Sequence, residues 1–202
     1  MSESSTVAVR RATAADHKIL ASVLADAFRD DPVFVHVLPL GIRRREARLR
    51  RFFDLEVPRS VQLGGAWVSA DGTGAAIWYP PARWRPSQWQ ELRQAPAAAR
   101  VFGRHLARAG RVQAELRRHH PQTPHWYLYY LGTTSGRRSA GIGTALLRPM
   151  LEKCDSEGVP AYLEATSPRN RSLYQRHGFE DMEALHLPDG GPPMYPMWRR
   201  PR

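Results

Sequence analysis

The sequence predicts a mixed α+β, or α/β, fold in a single domain spanning residues 1–202. Three observations predict it. Short apolar runs of strand length, such as 66–69, 75–79 and 161–165, are bounded by glycine, proline and aspartate. Longer stretches between them repeat their apolar residues at the spacing of a helix packed on one face. The two kinds of segment interleave without an internal repeat or a clean linker, so one sheet with helices against it is expected.

Each element has its own local signal. Residues 7–13 alternate apolar and polar and read as a first strand. Thr13 and Asp16 open a helix with Ile19, Leu20, Val23, Leu24, Ala27 and Phe28 on one face. Asp30-Asp31-Pro32 ends it, because the residue before proline avoids helical backbone. Residues 43–63 form a second amphipathic helix, with Leu49, Phe52, Phe53 and Val57 inward; Pro58 is expected to kink or shorten it. Runs 66–69 and 75–79 flank Asp71-Gly72-Thr73-Gly74 and predict a hairpin. Residues 84–120 are helical and arginine-rich, with a break expected near Pro96. Then come a strand at 126–131, a helix at 142–157 closed by Gly158 and Pro160, a strand at 161–165, and a short helix at 170–177 ended by Gly178. Runs 179–187 and 194–198 read as two closing strands about a turn at 188–192.

Composition sets the class. An apolar fraction of 42% and a charged fraction of 24% are those of a globular protein, not a disordered chain. Cys154 is the only cysteine, so there is no disulfide framework and a reducing cytoplasm is expected. The polar start has no apolar signal core, and no run of about 18 apolar residues suggests a membrane span. The net charge of +11 is almost all arginine, since Lys18 and Lys153 are the only lysines. It reads as a basic surface or as attraction to a polyanion, whether nucleic acid, an acidic partner or a charged cofactor. No helix-turn-helix or RNA-binding signature accompanies it, so nucleic acid is not the expected partner.

The chemistry lies in the last third. Gly136-Arg137-Arg138-Ser139-Ala140-Gly141-Ile142-Gly143-Thr144 joins a strand to a helix. A helix N-terminus offers unpaired N–H groups and the positive end of a dipole, which suits a phosphate. Gly141 and Gly143 let the backbone approach an anion without a Cβ between; the arginines and hydroxyls add donors. Alone, such a Gly-x-Gly is as readily a tight turn. It is not a P-loop, lacking the Gly-Lys-Ser/Thr ending, and it lacks the third glycine of a dinucleotide-binding fingerprint.

The downstream residues are more specific. Arg138-Ser139-Ala140-Gly141-Ile142-Gly143 precedes the helix, then the strand carries Glu164, and Asn170, Tyr174 and Gly178-Phe179 come after it in order. This pattern resembles the GCN5-related N-acetyltransferase (GNAT) superfamily, whose Arg/Gln-x-x-Gly-x-Gly/Ala loop holds the coenzyme A pyrophosphate. Within it the chain is similar to the puromycin N-acetyltransferase group. The sequence departs from the commoner motif at Ser135-Gly136 and Arg138-Ser139, and its first two-thirds match only loosely.

The resemblance implies a six- to seven-stranded, mostly antiparallel, splayed sheet and direct acetyl transfer from acetyl-CoA to a primary amine, with no metal. It implies that Leu131, Gly132 and Thr133 pair with the pantetheine arm, that residues 137–144 hold the phosphates, and that Asn170 bonds the cofactor. Tyr174 is then the general acid for the departing thiolate, and Glu164 the base for the amine. The ordinary alternatives are a packed helix aromatic for Tyr174, an ion pair for Glu164 and a helix cap for Asn170. His119, His120 and His125 lack carboxylate or cysteine partners at ligand spacing and read as loop or core histidines. Cys154 reads as packing. Asp30 and Asp31 are candidates to attract a cationic substrate or simply end a helix. Trp67, Trp78, Trp84 and Trp89 are candidates to stack on a planar acceptor or to pack.

The expected acceptor is a small-molecule amine, with an aminonucleoside or other antibiotic among the candidates, handled by a monomer or homodimer. The competing readings are a protein N-terminal or lysine acetyltransferase, and a basic acyl-CoA-sensing module on nucleic acid.

Overall fold

A computed structural model describes residues 7–137 and 140–202. The first half contains β1 (Val9–Arg11), α1 (His17–Ala27), α2 (Pro32–Val37), α3 (Arg45–Gln62), β2 (Ala66–Ser69), β3 (Gly74–Tyr79), α4 (Gln88–Phe102) and α5 (Leu106–His119). The second contains β4 (Trp126–Thr133), α6 (Ile142–Glu157), β5 (Ala161–Ala165), α7 (Pro168–Arg176), β6 (Glu180–Asp181), β7 (Leu185–His186) and β8 (Pro193–Arg199). No helix among the described residues is long and apolar enough to cross a membrane.

The sheet runs β1-β2-β3-β4-β5-β8-β6, with β7 also paired to β8. Every pairing is antiparallel except β4 with β5. β3 is buried on both faces, so its side chains divide between two cores by strand alternation. Ala75, Ile77 and Tyr79 join the core under α1 to α5, while Ala76 and Trp78 join the core under α6 and α7.

Two irregularities open the sheet in the middle. Ile77 pairs with Tyr130 but Trp78 pairs with Leu128, which leaves Tyr129 as a bulge in β4. The parallel ladder between β4 and β5 covers Trp126↔Ala161, Tyr127↔Tyr162 and Leu128↔Leu163, and there it ends. Beyond Leu128 the two strands part, and the sheet is splayed as expected.

The structure corrects several boundaries. The first strand keeps only Val9–Arg11. Pro32 both ends one helix and starts another: Asp31 accepts from the amides of Val33 (2.9 Å) and Phe34 (3.1 Å) and caps α2, with Pro32 at a first-turn position that needs no N–H. α3 runs through Pro58, which has no N–H to give Asp54 four residues back. His17 Nε2 lies 3.1 Å from that Asp54 carbonyl and replaces the lost bond. α4 likewise runs through Pro96; the break comes at Gly103, in a positive-φ conformation. The run 179–187 yields only the two-residue strands β6 and β7, both leaning on β8.

Gly132 sets how closely α1 lies on β4. A Cβ there would come within 2.5 Å of the Ala27 Cβ, so any side chain pushes the helix from the strand. We expect Gly132→Ala to cost about 1–3 kcal/mol of stability, read from the denaturant midpoint.

Candidate active site

Two hollows meet where β4 and β5 part. An outer cleft and an inner cavity share the walls Phe28, Asp31, Leu131, Thr166, Asn170 and Tyr174. The outer cleft is the larger, and it takes Leu131, Gly132 and Thr133 from β4 and Arg137, Gly141, Ile142, Gly143 and Thr144 from the loop and the start of α6. Arg138 and Ser139 lie outside the described residues. Ala140 is exposed and not among the cleft walls.

Backbone geometry suits this cleft to an extended, anionic ligand. Gly141 caps α6 at φ 75°, a left-handed conformation natural to glycine, and among the described residues no side chain bonds to the helix start. The first intrahelical bond comes from the Ala145 amide to the Gly141 carbonyl, so the amides of Ile142, Gly143 and Thr144 precede the ladder. At Gly143 a Cβ would press on Leu173 at 3.3 Å. Just past β4, the Thr134 amide donates to the Thr73 carbonyl beside β3. Successive backbone groups of a strand alternate sides, so the amides of Leu131 and Thr133 face the splayed gap. Asp26 accepts from the Ser135 amide at 2.6 Å, and Arg137 pairs with Asp71 at 3.2 Å; both hold the connecting loop against the body.

α7 brings the downstream residues. Ser167, not Asn170, caps it, accepting from the Asn170 amide at 3.3 Å. Asn170 thus stands within the first turn with its side chain free of capping duty, and it lines both hollows. Tyr174 also lines both; it is buried, 5.9 Å from the Phe179 ring, and its hydroxyl makes no hydrogen bond among the described residues. Burial, with the charge of Asp31 behind it, raises the phenol above its ordinary value, so it stays protonated. Asp31 sits at the junction itself, held by the α2 amides and by the Thr166 hydroxyl at 2.6 Å.

Glu164 faces the inner cavity from β5, its side chain 4% exposed. Oε2 accepts from the Tyr127 hydroxyl at 2.6 Å; Oε1 is buried and makes no well-formed hydrogen bond among the described residues, with the Tyr162 hydroxyl beside the carboxyl. Burial pushes the carboxyl up to about 7, and the Tyr127 and Tyr162 hydroxyls beside it offset only part of that. It has no arginine partner among the described residues, so the ion-pair alternative does not describe it.

Behind it lies a buried histidine pair. His125 Nδ1 is 2.6 Å from the Thr123 carbonyl and must carry the proton there. His125 Nε2 therefore accepts from His120 Nε2 at 3.0 Å, leaving His120 Nδ1 bare, 4.0 Å from Glu164 Oε1. Burial and the neighbouring imidazole push His120 down to about 3, so it is neutral and brings no positive charge to Glu164. These two are core histidines, as expected; His119 is on the surface beside Glu115. Cys154 is wholly buried and its thiol is pushed up to about 12, consistent with packing. None of Trp67, Trp78, Trp84 and Trp89 lines either hollow: Trp78 is buried, Trp84 stacks on His120 and Trp89 is exposed.

The inner cavity escapes sequence reasoning because residues from far apart build it. Phe34 and Phe52 come from α2 and α3, Phe102 from α4, and Val112, Gln113 and Leu116 from α5. In the outer cleft, Arg169 and Arg176 on α7 also escape it; the Ser167-Pro168 start of that helix is the available signal.

A cleft with anion-binding amides that joins a smaller, apolar cavity holding a carboxyl raised toward pH 7 defines a group-transfer enzyme: a phosphate-bearing donor outside, an acceptor inside. The model of the acetyltransferase (GNAT) family matches residues 74–179, and the chain belongs to that family. It is an N-acetyltransferase. An uncharacterized N-acetyltransferase of Schizosaccharomyces pombe is 27% identical over 192 residues, covering 90% of this chain and 77% of that protein. A solved structure described as a histone acetyltransferase and related acetyltransferase from Corynebacterium glutamicum superposes with a TM-score of 0.76 at 31% identity, covering 98% and 97% of the two chains. The Drosophila melanogaster polyamine N-acetyltransferase shares the fold at a TM-score of 0.64 and 15% identity, over 96% and 99%.

Proposed function

We propose that this chain transfers an acetyl group from acetyl-CoA to the primary amine of a small molecule, by direct attack in a ternary complex. The observation that carries the reading is Glu164: a buried carboxyl raised toward pH 7, one oxygen without a well-formed hydrogen bond among the described residues, in the inner cavity just behind the seam with the outer cleft. Acetyl-CoA, when bound, supplies the activated acetyl group. The amides at the start of α6, with Arg137, would hold its phosphates, and the Leu131 and Thr133 amides would pair with its arm as an added strand does. Asn170 would bond the arm near the seam. Glu164 accepts a proton from the incoming ammonium, leaving a neutral nitrogen able to attack. The N–C bond forms as the C–S bond breaks; Tyr174 donates a hydrogen bond to the departing thiolate, and the second amine proton passes to that sulfur, leaving the amide and the free thiol.

The acceptor side favours a small molecule over a protein, because the cavity is the smaller of the two hollows and takes its walls from four helices as well as the sheet. The polyamine acetyltransferase of similar fold acts on a small amine, which accords with this reading. Acetyl-CoA at about 100 times its Kd should stabilise the folded chain by about 2.7 kcal/mol, or about 5–10 °C in Tm. A melt that does not move at millimolar acetyl-CoA would overturn the reading. A thiol-release screen across amine classes, puromycin included, then identifies the acceptor.

A further inference from the structure

The inner cavity narrows the acceptor beyond "an amine". Its walls are largely carbon. Phe34, Phe52, Phe102 and Tyr130 form a continuous ring cluster, with Phe34–Phe52 centroids 5.3 Å apart, Phe52–Phe102 5.9 Å and Phe52–Tyr130 6.1 Å. Val112 and Leu116 of α5 add to the apolar lining. Among the described residues, only two carboxylates line this space, Asp31 and Glu164. Asp31 is already engaged by two α2 amides and the Thr166 hydroxyl. Glu164 Oε1 is the carboxylate oxygen left buried without a well-formed hydrogen bond. Glu56 is not itself a cavity wall; it is partly buried near Tyr79 and the wall residues Tyr129 and Tyr130, and the Arg59 guanidinium already offsets its charge.

We propose that the acceptor is a primary amine on an aromatic or branched apolar body with no second positive charge, its amino group at Glu164 and its body among the rings. The proposal rests on the acetyl-transfer reading. One ammonium finds one carboxylate here. A second ammonium would be stripped of water against ring and aliphatic carbon without a counter-charge, which burial penalises heavily.

The arginine-rich stretch supplies an independent argument. Between Gln88 and His119 the chain carries seven arginines and two glutamates, and these two helices wall the cavity. Both glutamates are spent: Glu91 pairs with Arg117 and Glu115 with Arg118. Arg93, Arg100 and Arg104 are exposed. A polycation approaching this face meets like charge, which slows its encounter, whereas a monoamine is little affected. The net charge that suggested a polyanion thus acts as a filter on the acceptor.

The test is steady-state thiol release by the full chain with acetyl-CoA. Phenethylamine, tyramine and isoamylamine are compared with spermidine, agmatine and a short peptide bearing a free N-terminus. The monoamines should exceed the others in kcat/KM by about 100-fold, the size expected when a buried charge lacks a partner. Preference for spermidine, agmatine or the peptide overturns this proposal and leaves acetyl transfer standing. Failure to acetylate any amine, with the protein still stabilised by acetyl-CoA, overturns both. Gln113→Glu adds a carboxylate to the α5 wall and should raise agmatine relative to phenethylamine by about 10-fold. An unchanged ratio in a variant that melts normally would show that the acceptor body does not lie against α5, and so overturns the placement.

Discussion

Glu164→Gln is expected to lower kcat by about 100- to 1,000-fold at neutral pH, the range over which a positioned base acts. The substitution keeps the shape and the hydrogen bond from Tyr127 but removes the group that takes the amine proton. The pH profile should change as well as the rate. In the wild type, kcat/KM should show an inflection near pH 7, where Glu164 ionises. The variant should lose that inflection and keep only the rise that accompanies deprotonation of the amine in solution. Stability should move the other way. Glu164 titrates higher in the folded chain than its ordinary value of 4.5, so the folded state favours its protonated form. That contribution is complete below about pH 4.5 and is lost as the pH rises through about 7. At pH 8 the wild type holds a buried charge with no cationic partner, whereas the variant does not. The variant should therefore melt higher than the wild type at pH 8, and the gap should close toward pH 5. Glu56, also pushed up to about 7, is present in both proteins and cancels in the comparison. Wild-type turnover with an unchanged profile would remove Glu164 from the reaction.

The parts of this protein that are legible in the sequence are those written locally. The helix at Ile142–Glu157 and the strand at Ala161–Ala165 appear at the expected bounds, because glycine and proline punctuate both ends. The order Gly141, Gly143, Glu164, Asn170, Tyr174 is also local, and the structure gathers these residues along the two adjoining hollows. The illegible parts depend on tertiary contacts. Pro58 fails to break α3 because His17, from a different helix, takes the orphaned carbonyl. Pro96 does not end α4; the break needs the positive φ of Gly103, and no propensity distinguishes that glycine from Gly110, which stays helical inside α5. The inner cavity draws on four helices that precede the motif, so no spacing rule reports it. The histidine pair shows the same limit. Residue type alone suggests a loop or a core, and only the Thr123 carbonyl and the contact between the two rings reveal which tautomers the pair holds.

Tyr174→Phe is expected to lower kcat by about 100-fold while leaving the affinity for acetyl-CoA nearly unchanged. A phenol with an ordinary pKa near 10 is a weak acid, but a departing thiolate of pKa about 8.5 needs only a donor close by. Burial keeps this phenol protonated at every working pH, so the donor is always present and adds no alkaline limb of its own. The substitution is clean for a structural reason. The hydroxyl makes no hydrogen bond among the described residues, while the ring packs beside Phe179, so phenylalanine keeps the packing and loses only the donor. The two variants should therefore part company on stability: Glu164→Gln shifts the melt in a pH-dependent way, whereas Tyr174→Phe leaves it within about 0.5 kcal/mol of wild type at all pH values. A Tyr174→Phe protein with undiminished kcat would assign the ring to packing alone. A large loss of stability instead would mean that the hydroxyl has a partner in solution and is not free to serve the thiolate.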